Sequence, residues 1–210
     1  MIEYRTNLRQ RYNHPNIVVA VASDIGTGFD WVLSYFEEQV AAGVVFSDNQ
    51  LVQMGWMLVK LCQDSSGDLE VWEPIFDAVP INWTRGASTT IRHLMVQREA
   101  CAQLGVEPSF PVLNQSGVVS AEFFASGKFD MEREFCEVAT DSGWIFKDPQ
   151  PTGGKHCSLF EIAVARPEVV PFLALPVGTT VSYDKSGIDI SLGDRKISSS
   201  NNEFIARLVK

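Results

Sequence analysis

The amino-acid sequence predicts an α+β protein of two small subdomains, each a mainly antiparallel sheet with one or two packed helices. Three observations support this prediction. Short runs rich in β-branched residues alternate with turn-forming residues, two stretches carry apolar residues at helical spacing, and a stretch rich in proline and glycine at residues 105–117 separates the halves. We therefore place the subdomains at residues 1–112 and 113–210. With 210 residues, of which 45% are hydrophobic, the chain is long enough to bury a sizeable core.

The first half of the chain follows the order β-α-β-β-α. Residues 17–22 are β-branched and apolar, which favours a buried strand. Apolar residues recur at helical spacing over 29–40, where Thr27 is a candidate cap. The segments 51–62 and 69–76 flank a polar turn, which predicts a hairpin. A second helix starts at Ser88 or Thr89 and ends at Gly105. Its predicted core positions are Ile91, Leu94, Met95, Cys101 and Leu104.

The second half of the chain predicts shorter elements. We expect strands near Val118 and over residues 135–139 and 144–146. A short helix over 158–165 should end before Pro167, because the residue preceding a proline is disfavoured in the helical conformation. The segments 180–183 and 188–191 are then predicted to form a hairpin around an Asp-Lys-Ser-Gly turn. Residues 192–202 are predicted to form a polar loop.

Charge gives the clearest information about partners. The chain has 17 basic and 26 acidic residues and a formal net charge of −9, which disfavours binding to nucleic acids or to anionic membranes. No lysine or arginine occurs from Tyr12 through Val59. A surface of one sign on a helix would attract a basic partner, although a solvated helix face is the alternative interpretation. The same stretch contains five carboxylates: Asp24, Asp30, Glu37, Glu38 and Asp48.

The sequence gives no sign of export or membrane insertion. The amino terminus is polar and no apolar core of signal-peptide length follows it. The apolar run at residues 17–22 is far shorter than a membrane span. We therefore expect a cytoplasmic protein.

The cysteines predict neither disulfides nor a metal site. All four lie far apart without a Cys-x-x-Cys pair, so in a cytoplasmic chain they are expected to be small buried apolar groups. We expect no metal and no cofactor. A nucleophile pair of Cys157 with His93 stays open as an alternative. The cysteines are Cys62, Cys101, Cys136 and Cys157.

The turn at Gly26 and Gly28 supports a second class of function. Two glycines between a strand and a helix can hold a phosphate on backbone N–H groups. However, Trp31 occupies the position where a dinucleotide site needs a third small residue, and Asp24 and Asp30 would repel phosphate. We favour an ordinary turn. An enzyme or small-ligand-binding protein that uses this turn is the alternative, and it requires a concave site around Asp24.

One arrangement of motifs resembles a known family. Asp141-Ser142-Gly143-Trp144 is followed by a short apolar helix, a proline-flanked segment over 167–176, and a Pro-x-Gly-Thr sequence that enters the last hairpin. This order, over about residues 132–191, resembles a domain-of-unknown-function family. Its members are immunity proteins of bacterial polymorphic toxin and type VI secretion systems. The run after Trp144 is shorter than is typical of that family, which leaves the subfamily and the cognate toxin open.

The resemblance implies a protein that is not an enzyme and that binds and occludes a toxin. A nuclease is the expected toxin, because the groove of a nuclease must be positive and this chain is acidic. Trp31 and Tyr35 flank the apolar stripe of the first helix, which favours them as interface anchors. An interior position for Trp144 is the alternative to a binding role. The predicted toxin-binding residues are Trp31, Tyr35, Glu37, Glu38 and Asp48, with Asp141 and Trp144 as the family-derived alternative.

Overall fold

A computed structural model of the protein describes residues 1–148 and 153–209. The chain divides into two compact units, Met1–Arg92 (unit 1) and His93–Lys210 (unit 2). The division falls inside the helix Ser88–Leu104. Both units are built on mixed sheets with few helices, which confirms the predicted α+β class, although the sheets are larger than expected. The predicted domain boundary between residues 112 and 113 stays a prediction.

Unit 1 contains a six-stranded sheet in the order β1-β2-β5-β4-β3, with β6 paired to β5. The pair β2 and β5 is parallel and the other pairs are antiparallel. Every residue of β2 is buried, as its β-branched sequence predicts. The strands are β1 (Ile2–Arg5), β2 (Ile17–Val21), β3 (Leu51–Met54), β4 (Met57–Gln63), β5 (Leu69–Ile75) and β6 (Asn82–Arg85).

Two α-helices and a 3₁₀ turn complete unit 1. Helix α1 is Leu8–Tyr12, the 3₁₀ turn is Ser23–Ile25, and helix α2 is Trp31–Ala41. The residues of α2 that recur at helical spacing, Val32, Phe36 and Val40, are buried as predicted. The proposed cap Thr27 is wrong, because α2 begins only after Asp30 and has no side-chain cap.

The segment predicted as one arm of a hairpin is itself a hairpin. Strands β3 and β4 pair from Leu51 with Lys60 to Met54 with Met57. Between them lie Gly55, with φ of 59°, and Trp56. A two-residue turn with glycine first matches the right-handed twist of the flanking strands. The segment 51–62 therefore forms two strands, and buried residues alternate with less buried ones along each of them.

Helix α3 (Ser88–Leu104) begins where predicted, but its amides are capped by another element. The buried carboxylate of Glu73 on β5 accepts hydrogen bonds from the N–H groups of Thr89 (3.0 Å) and Thr90 (2.7 Å). A carboxylate at this end also interacts favourably with the helix dipole. Four of the five predicted core positions are buried, whereas Met95 is 47% exposed and is corrected to the surface.

Unit 2 contains a seven-stranded sheet in the order β10-β7-β9-β8-β11-β12-β13, in which only the described pair β7 and β9 is parallel. The last hairpin lies where predicted, but residues 135–139 are a loop and 192–202 include a strand, so both of those predictions are wrong. The strands are β7 (Ser116–Val119), β8 (Phe129–Arg133), β9 (Asp141–Lys147), β10 (Lys155–Ser158), β11 (Thr179–Asp184), β12 (Gly187–Leu192) and β13 (Arg195–Ser198).

The helices of unit 2 are short. Helix α4 (Leu159–Ala165) is followed by the 3₁₀ helix Pro167–Phe172, and α5 is Glu203–Arg207. Ser158 caps α4 by accepting a hydrogen bond from the N–H of Glu161 at 3.1 Å, and α4 ends before Pro167, which confirms the prediction. Within residues 1–148 and 153–209, none of the helices has the length and apolarity that a membrane span needs.

Candidate partner-binding surface and the Asp-Ser-Gly-Trp turn

Gly143 shapes the start of β9. Its φ is +76°, a conformation that other residues rarely adopt. A Cβ atom at this position would overlap with the carbonyl oxygen of Glu134. The two residues are joined by a hydrogen bond from the N–H of Glu134 to the Gly143 carbonyl at 2.8 Å. Glycine is therefore required here by both the backbone conformation and the close approach.

Asp141 and Ser142 stabilise the same turn with their side chains. Asp141 Oδ1 accepts from the Gly143 N–H at 2.8 Å. The Ser142 hydroxyl donates to the Ser116 carbonyl at 2.8 Å and accepts from the Trp144 N–H at 3.2 Å. Asp141 is partly exposed, and its Oδ2 lies 3.6 Å from Nδ1 of His156. Of these side chains, Asp141 is the one that a partner can reach.

Trp144 belongs to the core. Its side chain is 0% exposed and its Nε1 donates to the Leu173 carbonyl at 3.0 Å. The Arg133 guanidinium lies 5.7 Å from the ring centroid and donates to the carbonyls of Ser142 (3.2 Å) and Leu175 (2.6 Å). Burial lowers the pKa of Arg133 to about 10, so it stays charged at neutral pH. The structure therefore corrects the suggestion that Trp144 contacts a partner.

On α2, three of the predicted residues share one face. Trp31, Tyr35 and Glu38 are spaced four and three residues apart, so they form one stripe along the helix, which we call the α2 stripe. Trp31 and Tyr35 are partly exposed and Glu38 is exposed. The face of α2 that carries Val32 and Phe36 is buried. The stripe thus presents two aromatic rings and a carboxylate to solvent.

Free carboxylates dominate this part of unit 1. Glu37 lies 3.9 Å from Arg11, whereas Asp30 and Glu38 have no basic group within 4.0 Å among the described residues. The arginines of unit 1 are already occupied, since each lies within 4.0 Å of a carboxylate. The pairs are Arg5 and Arg9 with Asp68, Arg11 with Glu37, Arg85 with Glu3 and Glu70, and Arg92 with Asp24.

Asp48 lies outside the α2 stripe, on the exposed segment between α2 and β3. Its Oδ1 accepts from the N–H of Gln63 at 2.8 Å and its Oδ2 accepts from the side-chain amide of Asn49 at 2.7 Å. Its first role is therefore local, because it holds this segment against the end of β4. Its negative charge still adds to that of the α2 region.

The Gly26–Gly28 turn does not form an enclosed site. The Asp24 side chain is 72% exposed and pairs with Arg92 at 2.8 Å. Space is open around both glycines, with no heavy atom within 4 Å of a Cβ built at either position. An enzyme or ligand-binding protein at this turn requires Asp24 inside a concavity, and the structure places it in solvent.

The cysteines give no support for nucleophilic or metal chemistry. Burial raises the pKa of Cys101 to about 11, and burial also raises the pKa of Cys62 and of Cys157. These thiols are therefore protonated at neutral pH and are poor nucleophiles. Cys136 is exposed and Cys62 is half-buried, which corrects the expectation that all four are buried. In the described part of the chain, no group of three or more His, Cys, Asp or Glu residues is placed to hold a metal ion.

Comparison with protein families finds a match in unit 2. Residues 96–192 match the family model described as Imm33-like domain. This range lies within unit 2 and covers the Asp-Ser-Gly-Trp turn and the hairpin of β11 and β12. No curated protein and no solved structure matches the chain. The match supports an immunity-protein family, and it places the α2 stripe outside the matched range.

Proposed function

We propose that this protein is an immunity protein that binds a bacterial toxin and inhibits it by covering its functional surface, without catalysis. The match of residues 96–192 to the Imm33-like domain carries this proposal. An immunity domain implies a toxin as its partner, and inhibition by occlusion requires a well-packed interface and no catalytic group.

The α2 stripe is the proposed contact surface in unit 1. Trp31 and Tyr35 provide aromatic area that is already partly exposed, and such residues are frequent energetic anchors in interfaces. Glu37, Glu38 and Asp48 add negative charge, which would guide a basic partner and raise its association rate. Asp141 is a second candidate in unit 2 because its side chain is partly exposed.

A basic nuclease is the proposed toxin, delivered by a polymorphic or type VI secretion system and neutralised in the cytoplasm. A nuclease groove must be positive in order to hold phosphates. The α2 region, with the free carboxylates of Asp30 and Glu38, complements such a groove. The same negative charge disfavours direct binding of this protein to nucleic acids or to anionic membranes.

Co-expression with the product of the adjacent reading frame tests the function. We expect wild-type protein to rescue cells from that product and to co-purify with it. A product that kills cells equally with and without this protein, and that does not co-purify with it, would rule out the proposed function.

Charge reversal at Glu38 tests the surface. Glu38→Lys should slow association with that product by about tenfold at low salt, because the carboxylate is exposed and has no described ion-pair partner. The matched control is Asp77→Lys, an equal charge change at another exposed site of unit 1. Stopped-flow or surface plasmon resonance measures the rates over a range of salt concentrations. Equal rates for the two variants would move the interface away from α2.

A further inference from the structure

The segment between β8 and β9 is the most exposed apolar region in the described part of unit 2. All seven residues at positions 134–140, which we call the 134–140 loop, are exposed. Phe135 is 75% exposed and Val138 is 59% exposed. Glu134 and Glu137 alternate with them along the chain. Two large apolar side chains three residues apart, with carboxylates beside them, form an arrangement that suits a protein-binding surface.

The Asp-Ser-Gly-Trp turn fixes both ends of this loop. At the start, the N–H of Glu134 donates to the Gly143 carbonyl at 2.8 Å. Near the end, the N–H of Asp141 donates to the Val138 carbonyl at 2.9 Å. The loop is therefore tied to β9 before any partner binds, which lowers the entropy that binding would cost.

Strand β7 and the residue before it hold the last part of the loop. Gln115 Nε2 donates to the Ala139 carbonyl at 2.8 Å, and the N–H of Ser116 donates to the Thr140 carbonyl at 2.8 Å. Carbonyl groups of the loop are thus paired with the unit 2 scaffold. The exposed side chains of Phe135 and Val138 project from a backbone that is held at several points.

The surroundings of the loop are negative. Glu134 and Glu137 have no basic group within 4.0 Å in the described part of the chain, and Asp141 follows directly. A hollow of about 130 Å³ lies beside the loop, with Phe135 and Trp144 among its lining residues. Glu134 and Asp141 also line it. The loop therefore combines an apolar anchor with carboxylates that have room to receive a basic side chain.

We propose that the 134–140 loop is a second toxin-binding element, in which Phe135 enters an apolar hollow of the toxin while Glu134 and Glu137 face its lysines and arginines. This inference rests on the proposed function, because the toxin is its partner. Charge complementarity favours a basic protein as the occupant, whereas a second copy of this chain would bring carboxylates against carboxylates. The loop also lies within the range 96–192 that matches the immunity domain.

This proposal gives the buried turn a functional consequence. Ser142 and Trp144 are buried, and they hold the strand that supports the loop. Gly143 permits the close approach to Glu134 from which the loop departs. These are positioning residues, and the binding energy comes from the exposed loop.

Protection of Cys136 is a direct test. Cys136 is the exposed cysteine of the loop, whereas burial raises the pKa of the other three thiols. The probe partner is the purified product of the adjacent reading frame, and the complex is isolated by gel filtration. Maleimide should label Cys136 at least about tenfold more slowly in the complex than in the free protein. A Cys136→Ser variant identifies the signal, and an unchanged labelling rate in an isolated complex would overturn the proposal.

Substitution of Phe135 measures its contribution. Phe135→Ala should raise the Kd about 10- to 100-fold without changing the Tm, because the side chain is largely exposed. Met95→Ala, at an exposed apolar residue of α3, is the matched control and should leave the Kd unchanged. Glu137→Lys should weaken binding more than Asp194→Lys, an equal charge change in an exposed turn.

The outcomes separate this inference from the proposed function. If the wild-type protein neither binds the product nor rescues cells, the proposed function fails. The loop proposal then fails with it, because the toxin is the partner of the loop. If the wild-type protein binds and rescues, but Phe135→Ala keeps full affinity and Cys136 stays reactive, only the loop proposal fails. If Phe135→Ala converts a dimer to a monomer in sedimentation without the product, the loop binds a second copy and the proposal is overturned.

Discussion

Trp144 of unit 2 and Trp31 of unit 1 lie in opposite environments. In unit 2, Trp144 is completely buried, its ring lies against Arg133, and its indole N–H is hydrogen-bonded to a backbone carbonyl. In unit 1, Trp31 is partly exposed on the α2 stripe. The tryptophan of the pattern that resembles a family therefore belongs to an interior, and the candidate contact residues of unit 1 lie outside the matched range. A recognisable motif can identify a fold while the exposed residues determine which partner is bound.

The units also bury charges of opposite sign. Unit 1 buries the carboxylates of Asp68 and Glu73, and unit 2 buries the guanidinium groups of Arg133 and Arg166. A buried charge is tolerated only when it is paired or fully hydrogen-bonded. Glu73 accepts two backbone N–H groups, and Arg133 donates to backbone carbonyls.

Arg166 shows how unit 2 removes positive charge from its surface. It donates to the carbonyls of Phe123 and Ser126, and its guanidinium lies 5.0 Å and 4.8 Å from the ring centroids of Phe123 and Phe129. Backbone carbonyls and aromatic rings are thus its main partners. The carboxylate of Glu168 also lies 3.5 Å from the guanidinium. The arginines of unit 1 are instead paired with carboxylates, among them the buried Asp68. Both solutions leave an excess of carboxylates facing solvent.

Replacing each of the two tryptophans tests the first contrast and should give the largest effect. Trp144→Ala should lower the free energy of unfolding by about 3–5 kcal/mol, because it leaves a cavity and an unpaired carbonyl. Trp31→Ala is the matched control in unit 1 and should cost at most about 1 kcal/mol, because its side chain is already partly hydrated. Urea unfolding followed by circular dichroism measures both. An equal loss in the two variants would place Trp31 in a core and remove it from the proposed interface.

A pair of glycines in unit 2 sharpens the claim that the turn is structural. Gly143→Ala should cost about 3 kcal/mol, because the residue has φ of +76° and its Cβ would meet the Glu134 carbonyl. Gly193→Ala is the control, with φ of +56° and no heavy atom within 4 Å of the Cβ, so it should cost only about 1 kcal/mol. The difference between the two in urea unfolding isolates the close approach. Equal losses would show that backbone conformation alone requires the glycine.

The elements that could be predicted from sequence are those with a local cause. Strand β2 follows from its β-branched run, α2 from apolar residues at helical spacing, and α4 from a serine cap before and a proline after it. The hairpin of β11 and β12 follows from its turn sequence. In each case a few neighbouring residues carry the information.

Strand β8 shows why other elements could not be predicted. Its buried positions are Phe129, Met131 and Arg133, and an arginine that faces inward breaks the usual alternation of apolar and polar residues. Residues 135–139 have a strand-like composition but pair with no described strand, because the chain leaves the sheet after Arg133. Tertiary contacts, such as those of Arg133 with distant carbonyls, decide that this arginine faces inward and that the strand ends there.

The candidate site also combines features that local sequence predicts with features that depend on distant residues. Helical spacing alone predicts that Trp31, Tyr35 and Glu38 share a face. The ion pair of Glu37 with Arg11, the hydrogen bonds of Asp48 and the interior position of Trp144 depend on residues distant in the chain. The exposed 134–140 loop was not predicted, because the composition of residues 135–139 suggested a strand.

Acid should weaken the protein through His93, the first residue of unit 2. Burial lowers the pKa of His93 from 6.5 to about 4, so the folded protein holds this side chain neutral. The unfolded chain binds the proton more readily between these values. The stability contributed by neutral His93 is therefore complete above pH 6.5 and is lost as the pH falls towards 4. The loss between pH 7 and pH 5 should be about 2 kcal/mol.

His93→Gln separates this effect from the carboxylates, which titrate at lower pH. Since glutamine does not titrate, the variant should lose about 2 kcal/mol less than wild type between pH 7 and pH 5 in urea unfolding. Hydrogen exchange, corrected for its intrinsic pH dependence, then shows which unit loosens. Faster exchange in unit 2 than in unit 1 at pH 5 would extend the contrast between the units to acid sensitivity. Parallel curves for wild type and His93→Gln would mean that His93 is hydrated in the folded protein, and acid would then not distinguish the two units through this residue.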